Sequence, residues 1–269
     1  MVKKLEVIMA AYNNVAAMKL VLDGYLAQKD KFFSLCVADD GSTGEVKQLV
    51  EFYRKKQLNI RHVWHEDKGF RRAKILNKAL ASSEADYIVF TDNDCIPSPY
   101  FVADHRAWAE AETMVSGRRV DLGSTVTKEL LDNNLTINKL NNPWWLLANS
   151  INKKLSRAEN AIRFPLWFCN LWSKKPRNLL GANMAVWLAD LNKVNGFDND
   201  FVGYGCEEVD LQRRLEKVGL KIKTMRGRGS LFHLHHPENS LSAETQELIR
   251  KKAAQDDFWA ENGMSEALR

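Results

Sequence analysis

Two carboxylates one residue apart, in Asp92-Asn93-Asp94, follow the apolar run Asp86-Tyr87-Ile88-Val89-Phe90-Thr91, which reads as a short buried strand. Each isolated buried charge is very costly, so an i, i+2 pair on an extended segment cannot lose its water without a cation. A hard divalent ion that also holds a diphosphate would satisfy both groups; a solvated acidic turn is the alternative. In open α/β sheets, ligands bind beyond the carboxyl ends of the strands, which is where this pair stands.

Other clusters share that placement. A second apolar run ends in Asp39-Asp40-Gly41-Ser42-Thr43, where Gly-Ser-Thr supplies a tight turn and a helix cap. One of these carboxylates either closes the turn or accepts the imide N–H of a uracil ring. The first apolar run ends in Ala11-Tyr12-Asn13-Asn14, bringing an aromatic face and two amides to the same edge. Phe70-Arg71-Arg72-Ala73-Lys74 opens a helical pattern, and basic groups at a helix start suit phosphate. Arg72 and Lys74 cannot both face inward with Ile75 and Leu76. Glu207-Glu208 forms a second carboxylate pair, about 100° apart on a helix. In Phe232-His233-Leu234-His235-His236, strand alternation predicts His233 and His235 on one face and His236 on the other. Imidazole is a good Mn²⁺ ligand.

The elements that must position these groups alternate. Strands are predicted at Leu5 to Ala11, Phe33 to Ala38, Asn59 to His65 and Tyr87 to Thr91. Helices are predicted at Val15 to Gln28, Thr43 to Lys56 and Arg72 to Ala81. Such alternation implies a parallel, right-handed, doubly wound α/β sheet. Beyond Asp121 the pattern loosens: a polar loop at Asn133 to Asn142, a strand at Leu179 to Trp187, a helix from Glu207, a strand-rich stretch Leu220 to His235 and a tail helix Ala243 to Ala260. With 45% hydrophobic and 27% charged residues, the 269-residue chain has the composition of a globular protein. Its four widely spaced cysteines suggest neither a zinc site nor a disulfide framework. The net charge of +5 favours acidic partners. Met1-Val2-Lys3-Lys4 leads straight into a strand, and no run reaches the roughly 18 apolar residues of a membrane span; a cytoplasmic location, extending to the inner face of the cytoplasmic membrane, is the expectation.

In order along the chain, Tyr12-Asn13, Asp39-Asp40-Gly41-Ser42, the strand ending in Asp92-Asn93-Asp94, and Gly203-Tyr204-Gly205-Cys206-Glu207-Glu208-Val209-Asp210 resemble a GT-A glycosyltransferase of family 2. Phe70 to Asn77 and the Gly-Tyr-Gly-Cys-Glu-Glu segment are similar to the β-1,4-galactosyltransferase and chondroitin-polymerase group. The resemblance covers roughly residues 5 to 236. It implies a GT-A fold with a mixed central sheet, transfer of one sugar from a UDP-sugar to a glycan or lipid-linked surface-polysaccharide acceptor (lipopolysaccharide, O-antigen or capsule), and Mn²⁺ or Mg²⁺ as cofactor. By that resemblance Ala11, Tyr12, Asn13, Asp40, Phe70, Arg72, Asp92 and Asn93 hold the nucleotide, and Asp94, Asp92 and His233 hold the metal, with His235 and His236 as the other histidine candidates. Tyr204, Gly205, Gly181, Asn183 and Glu207 face the sugars. Glu208 is the catalytic base of an inverting transfer, with Glu207 beside it; the relatives usually carry Asp at this position, so the longer arm of Glu208 is a departure. Asp210 caps or braces the helix. The Gln-x-x-Arg-Trp of processive membrane synthases is absent, which favours single addition.

These signals divide the chain into a nucleotide-sugar half (1–122), an acceptor half (123–240) and a C-terminal helix (241–269) within one GT-A domain. Residues 143–177 mix Trp144, Trp145, Trp167, Phe168 and Trp172 with Lys153, Lys154, Arg157, Arg163, Lys174 and Lys175. That composition suits peripheral membrane contact, stacking on acceptor sugars, or helices packed on the core; no other motif supports nucleic acid. A nucleotidyltransferase would need a glycine-rich loop after the first strand, where Ala10-Ala11-Tyr12-Asn13-Asn14 stands instead. A silent carbohydrate- or nucleotide-binding module would have no use for the two acidic clusters.

Overall fold

The computed structural model describes residues 2–173, 175–237 and 240–268; Lys174 lies outside them. Eleven strands are seen among the described residues: β1 (Leu5–Ala11), β2 (Phe33–Asp39), β3 (Ile60–Trp64), β4 (Tyr87–Asp92), β5 (Cys95–Pro97), β6 (Thr113–Ser116), β7 (Arg119–Leu122), β8 (Leu155–Ser156), β9 (Met184–Trp187), β10 (Lys221–Thr224) and β11 (Leu231–His233). Seven form a mixed sheet in the order β10-β6-β9-β4-β1-β2-β3. β9 runs antiparallel to β4 and β6, and the other pairings are parallel. Strands β9 and β10, from beyond residue 123, therefore complete the sheet begun by the first 122 residues.

The central strands read as near-continuous apolar runs because both faces are covered. Alternation along β1 sends Val7 and Met9 to one core, packed on the helix Val15–Leu26, and Ile8 to the other, packed on the helix Arg72–Ala81. Glu6 is the buried exception in β1, and it is neutralised by a two-pronged bond from Arg61 Nε (2.7 Å) and Nη2 (2.8 Å).

Strand register sets the site. Ala11 pairs with Asp39, Asp39 with Trp64, and Ala10 with Asp92, so β1 to β4 finish at one edge. At that edge the chain leaves β4 through Asn93-Asp94 and enters β5 of a second sheet, ordered β5-β11-β7-β8. There His233 pairs with both Cys95 and Asp121. The acidic pair is thus the hinge between two sheets.

Several boundaries differ from the sequence expectation. The strand expected over Leu179 to Trp187 begins at Met184, because 181–183 form a turn. The expected loop Asn133 to Asn142 contains a 3₁₀ turn at Ile137–Asn141, and the tail helix stops at Ala254. Residues 143–177 fold into helices Pro143–Ile151 and Leu166–Trp172 separated by β8. Asn142 caps the first of them, accepting from the backbone N–H of Trp144 and Trp145, with Pro143 at its first position. This insert is anchored through Asp104, a buried carboxylate bonded by Arg163 (2.9 Å), Arg228 (2.9 Å) and the Gly229 N–H. Its outer face leaves Trp144 78% and Trp167 67% exposed, whereas Trp145 packs on the core. No described helix is long and apolar enough to cross a membrane.

Candidate active site

At the edge of β1 and β2 the two aspartates separate in role. Asp39 is fully buried, accepting from the Ser42 N–H (2.8 Å) and bonding His62 (2.8 Å), so it closes the turn. Asp40 is buried beside it, held by His65 Nε2 (2.5 Å) and by the Arg71 N–H (2.7 Å). Gly41 makes the turn that follows them at φ +97°, and a Cβ there would lie 2.5 Å from Asp67 Cα. Asn13 and Asn14 both take positive φ after β1, a conformation asparagine tolerates. Asn13 then knits three strand ends: its N–H donates to Ser42 Oγ, its Oδ1 accepts from the Thr43 N–H, and its carbonyl accepts from Asn93 Nδ2. Ala11 is buried and its carbonyl accepts from the Asp40 N–H, so both Ala11 and Asn13 serve the scaffold of the edge. Tyr12 is half exposed, its hydroxyl donating to Asp67. Asp67, His62, His65 and Trp64 were not singled out in the sequence; the end of β3 beside the acidic turn was the available signal.

Arg72 turns inward and Lys74 outward, resolving the conflict between them. Its guanidinium donates to Asp92 Oδ1 at 2.7 Å and to Glu207 Oε1 at 2.8 Å, with Gly181 O at 3.4 Å. Burial works against this charge, but Asp92, Glu207 and Glu208 outweigh it and raise its pKa further. A Cβ on Gly181 would meet Arg72 Nη2 at 3.3 Å and the Glu208 carboxyl carbon at 3.6 Å. Phe70 and Tyr204, both partly exposed, meet edge to face at 6.3 Å, and the Gly203 N–H donates to Phe70 O.

The helix Glu207–Lys217 starts from a strained turn: Gly203, Gly205 and Cys206 all have positive φ, and a Cβ at Gly205 would strike Leu241 at 2.7 Å. Asp210 braces it by pairing with buried Arg214 at 2.7 Å, whose Nη1 also donates to Val194 O and Gly196 O. Glu207 is buried against Arg72. Glu208, one position on, has no side-chain partner among the described residues; burial first, and then the charge of Glu207, push its carboxyl up to about 7 despite Arg72.

Opposite stands Asp94, 3.6 Å from His233 Nε2 and 3.3 Å from His236 Nε2. Although burial pushes the other way, the two imidazoles beside it hold its carboxyl well below the usual range. The hydrogen bond to Asp94 raises His236 to about 9. The expected alternation fails here, because β11 ends at His233. The chain then bends so that His236 folds back edge to face against His233 (4.9 Å between rings), while His235 points to solvent. Asp121, which the sequence marks only as the end of the regular alternation, lies 3.7 Å from the other nitrogen of His233. Ligand atoms of Asp94, Cys95 and His233 lie within 4.8 Å of one another. Burial and the nearby aspartates keep the Cys95 thiol protonated, so the donors left are carboxylate and imidazole, a set that fits a hard to borderline divalent ion.

Asn183, expected at the donor sugar, is fully buried with its amide spent inside the protein. Oδ1 bonds His105 (2.9 Å), and Nδ2 donates to Arg118 O and Gly229 O. It ties the 181–183 turn to both sheets and offers no polar atom to a sugar.

The sequence profile of glycosyl transferase family 2 matches residues 6–165, more than half of the chain. The chain belongs to glycosyl transferase family 2. Residues 162–237 of this family-2 chain also match the family described as the N-terminal domain of galactosyltransferase. The chain is 26% identical to a hyaluronan synthase of Pasteurella multocida over 92% of its own length and 27% of that protein. It is 27% identical to validoxylamine A glucosyltransferase of Streptomyces hygroscopicus subsp. jinggangensis (strain 5008), over 95% of its own length and 63% of that protein. The family-2 chain thus spans less than two thirds of these relatives. Its fold is that of GT-A glycosyltransferases. S. aureus TarS superposes with a TM-score of 0.63 at 17% identity, covering 98% of this chain and 41% of TarS. A mannosyltransferase of Pyrobaculum calidifontis, solved with GDP-Man and Mn²⁺, gives 0.57 at 17% identity over 94% of this chain and 61% of its own. A fragment of TarS, residues 1–349, has been solved with UDP-GlcNAc and matches at 0.59, with 17% identity over 93% of this chain and 65% of the fragment.

Proposed function

We propose that this chain is a metal-dependent, inverting hexosyltransferase that moves a single sugar from a UDP-sugar to a hydroxyl of a surface-polysaccharide acceptor. The observation that carries the reading is the meeting of two acidic clusters from opposite halves of the chain. Arg72 joins Asp92 to Glu207, leaving Glu208 unpaired with a carboxyl near 7. A general base works best with a pKa close to the operating pH.

The acceptor oxygen attacks the anomeric carbon of the donor while its proton passes to the Glu208 carboxylate, and the bond from that carbon to the diphosphate breaks on the opposite face. Arg72 holds Glu207 in place through their ion pair, which leaves Glu208 as the carboxylate free to take the proton. Phe70 and Tyr204 present aromatic faces for the donor and acceptor rings, and Asp40 and Tyr12 line the side assigned to uracil. Asp94, with His233 and His236, would hold Mn²⁺ or Mg²⁺, which supplies positive charge to the leaving diphosphate. The UDP-GlcNAc bound to the TarS fragment and the Mn²⁺ bound to the Pyrobaculum neighbour support the donor class and the metal.

The exposed tryptophans of residues 143–177 support a peripheral contact with the inner face of the cytoplasmic membrane, where lipid-linked acceptors are presented. A thermal-shift panel of nucleotides and UDP-sugars with and without Mn²⁺ tests the donor reading. Stabilisation by UDP that requires Mn²⁺ is expected; stabilisation by another nucleotide alone would replace the donor.

A further inference from the structure

Beside the catalytic cluster lies a cavity of about 320 Å³ with an unusual wall: Arg118, Arg119, Arg157, Arg177 and Arg226, with Trp172. These arginines come from four separate segments: the start of β7, the stretch after β8, the end of the insert, and the turn after β10. Glu159 is the one acidic side chain in the lining. Arg119 and Arg157 share Asp121, at 2.9 and 3.0 Å. Arg118, Arg177 and Arg226 make no ion pair among the described residues, although Arg226 lies over the Trp172 ring at 5.8 Å.

Arg118 is the sharpest observation. Its Nε is buried with no partner among the described residues, and its two terminal nitrogens reach only the Asn178 carbonyl, at 3.4 and 3.5 Å. Burial, followed by repulsion from Arg177, Arg226 and Arg157, pushes this guanidinium down to about 10. Five donors in a rigid fork, held among like charges with one backbone carbonyl as their only partner among the described residues, form a site whose missing partner is an oxyanion. Such a concentration of charge costs stability unless an anion is bound for part of the working cycle.

The cavity is also placed for the reaction. Leu180 lines it, and the next residue, Gly181, abuts Arg72 and Glu208. On the other side Arg119 is bonded to Asp121, which faces His233. We propose that this arginine-walled cavity binds an anionic group of the acceptor, a phosphate or a carboxylate, and so holds the acceptor hydroxyl toward Glu208. The acceptor is then an acidic glycan or a phosphate-linked one. This assignment rests on Glu208 as the base; anion binding itself does not.

The test uses the full chain and two probes, phenyl phosphate and methyl β-glucuronide, titrated calorimetrically without nucleotide and again with saturating UDP and Mn²⁺. Binding of at least one probe in both conditions is expected; the phosphate arm and the uronate arm then tell the two sources apart. Arg177→Gln with Arg226→Gln should weaken that binding at least tenfold, leave UDP affinity unchanged, and raise the melting temperature of the free protein by relieving repulsion. Arg118→Gln should act in the same direction. The proposal is overturned if neither probe binds the wild type, if the double variant binds as well as the wild type, or if UDP with Mn²⁺ displaces the probe, which would make the cavity part of the donor site. Failure of UDP to bind at all would sink the donor reading while leaving the anion result readable.

Discussion

Arg72 and Glu207 stand 135 residues apart in the chain, yet Arg72 Nη1 lies 2.8 Å from Glu207 Oε1. The same guanidinium reaches Asp92 at 2.7 Å, so one side chain at the start of a helix joins the end of β4 to the start of the helix Glu207–Lys217. Removing it would leave three carboxylates facing one another with no cation.

Arg72→Ala should therefore destabilise the fold by roughly 3–5 kcal/mol, the cost of breaking a buried ion pair from one side. Arg72→Lys keeps the charge but not the fork and should recover only part of that loss. Chemical denaturation of the three proteins measures both differences; equal midpoints would dissolve the linkage.

The two glutamates should separate kinetically. Glu208→Gln is expected to lower kcat by about 10²–10⁴-fold with UDP affinity intact, the usual contribution of a general base. Glu207→Gln should instead disturb Arg72 and affect stability as well as turnover. A reversal of the two effects would exchange their roles.

The pH dependence follows from Glu208. Its carboxyl sits near 7, so kcat should rise with pH through that value and flatten above it. For stability the sign is opposite. A carboxyl raised on folding contributes fully at low pH, and that contribution is lost as pH climbs through about 7. Glu208→Gln, neutral throughout, should thus be more stable than the wild type at pH 8, on the order of 1 kcal/mol or more, or roughly 2–4 °C, and nearly equal to it at pH 4, below the ordinary carboxylate range. A melting-temperature gap that does not change between those two pH values would contradict this.

At the opposite cluster, Asp94→Ala should abolish the Mn²⁺ dependence of UDP binding. His236→Ala should weaken Mn²⁺ affinity about 10–100-fold, and His235→Ala should do nothing, since His235 points to solvent. Titration of Mn²⁺ followed by its electron paramagnetic resonance signal distinguishes the three variants.

Asp104→Ala should release the insert. Arg163 and Arg228 both converge on this buried carboxylate, so its loss is expected to cost about 3–5 kcal/mol and to open residues 143–177 to limited proteolysis. An unchanged cleavage pattern would mean that packing alone holds the insert.

The alternation of strand and helix, the turn chemistry of Asp39-Asp40-Gly41-Ser42 and the acidic close of β4 were legible from residue order, because period, glycine and capping residues act within a few positions of themselves. The inward turn of Arg72 could be narrowed in the same way, from the apolar positions of its own helix. The expected reach of β9 and β11 was too long, since a strand ends where its neighbour does, and no local pattern carries the neighbour's length. That is why His236, rather than His235, comes to Asp94, and why Asn183 became a buried tie between sheets. Asp121 beside His233, Arg72 against Glu207 and the five arginines around one cavity depend on crossovers that bring distant segments to a common edge. Chain order proposes the chemical groups, and the pairing of nonadjacent strands decides which of them meet.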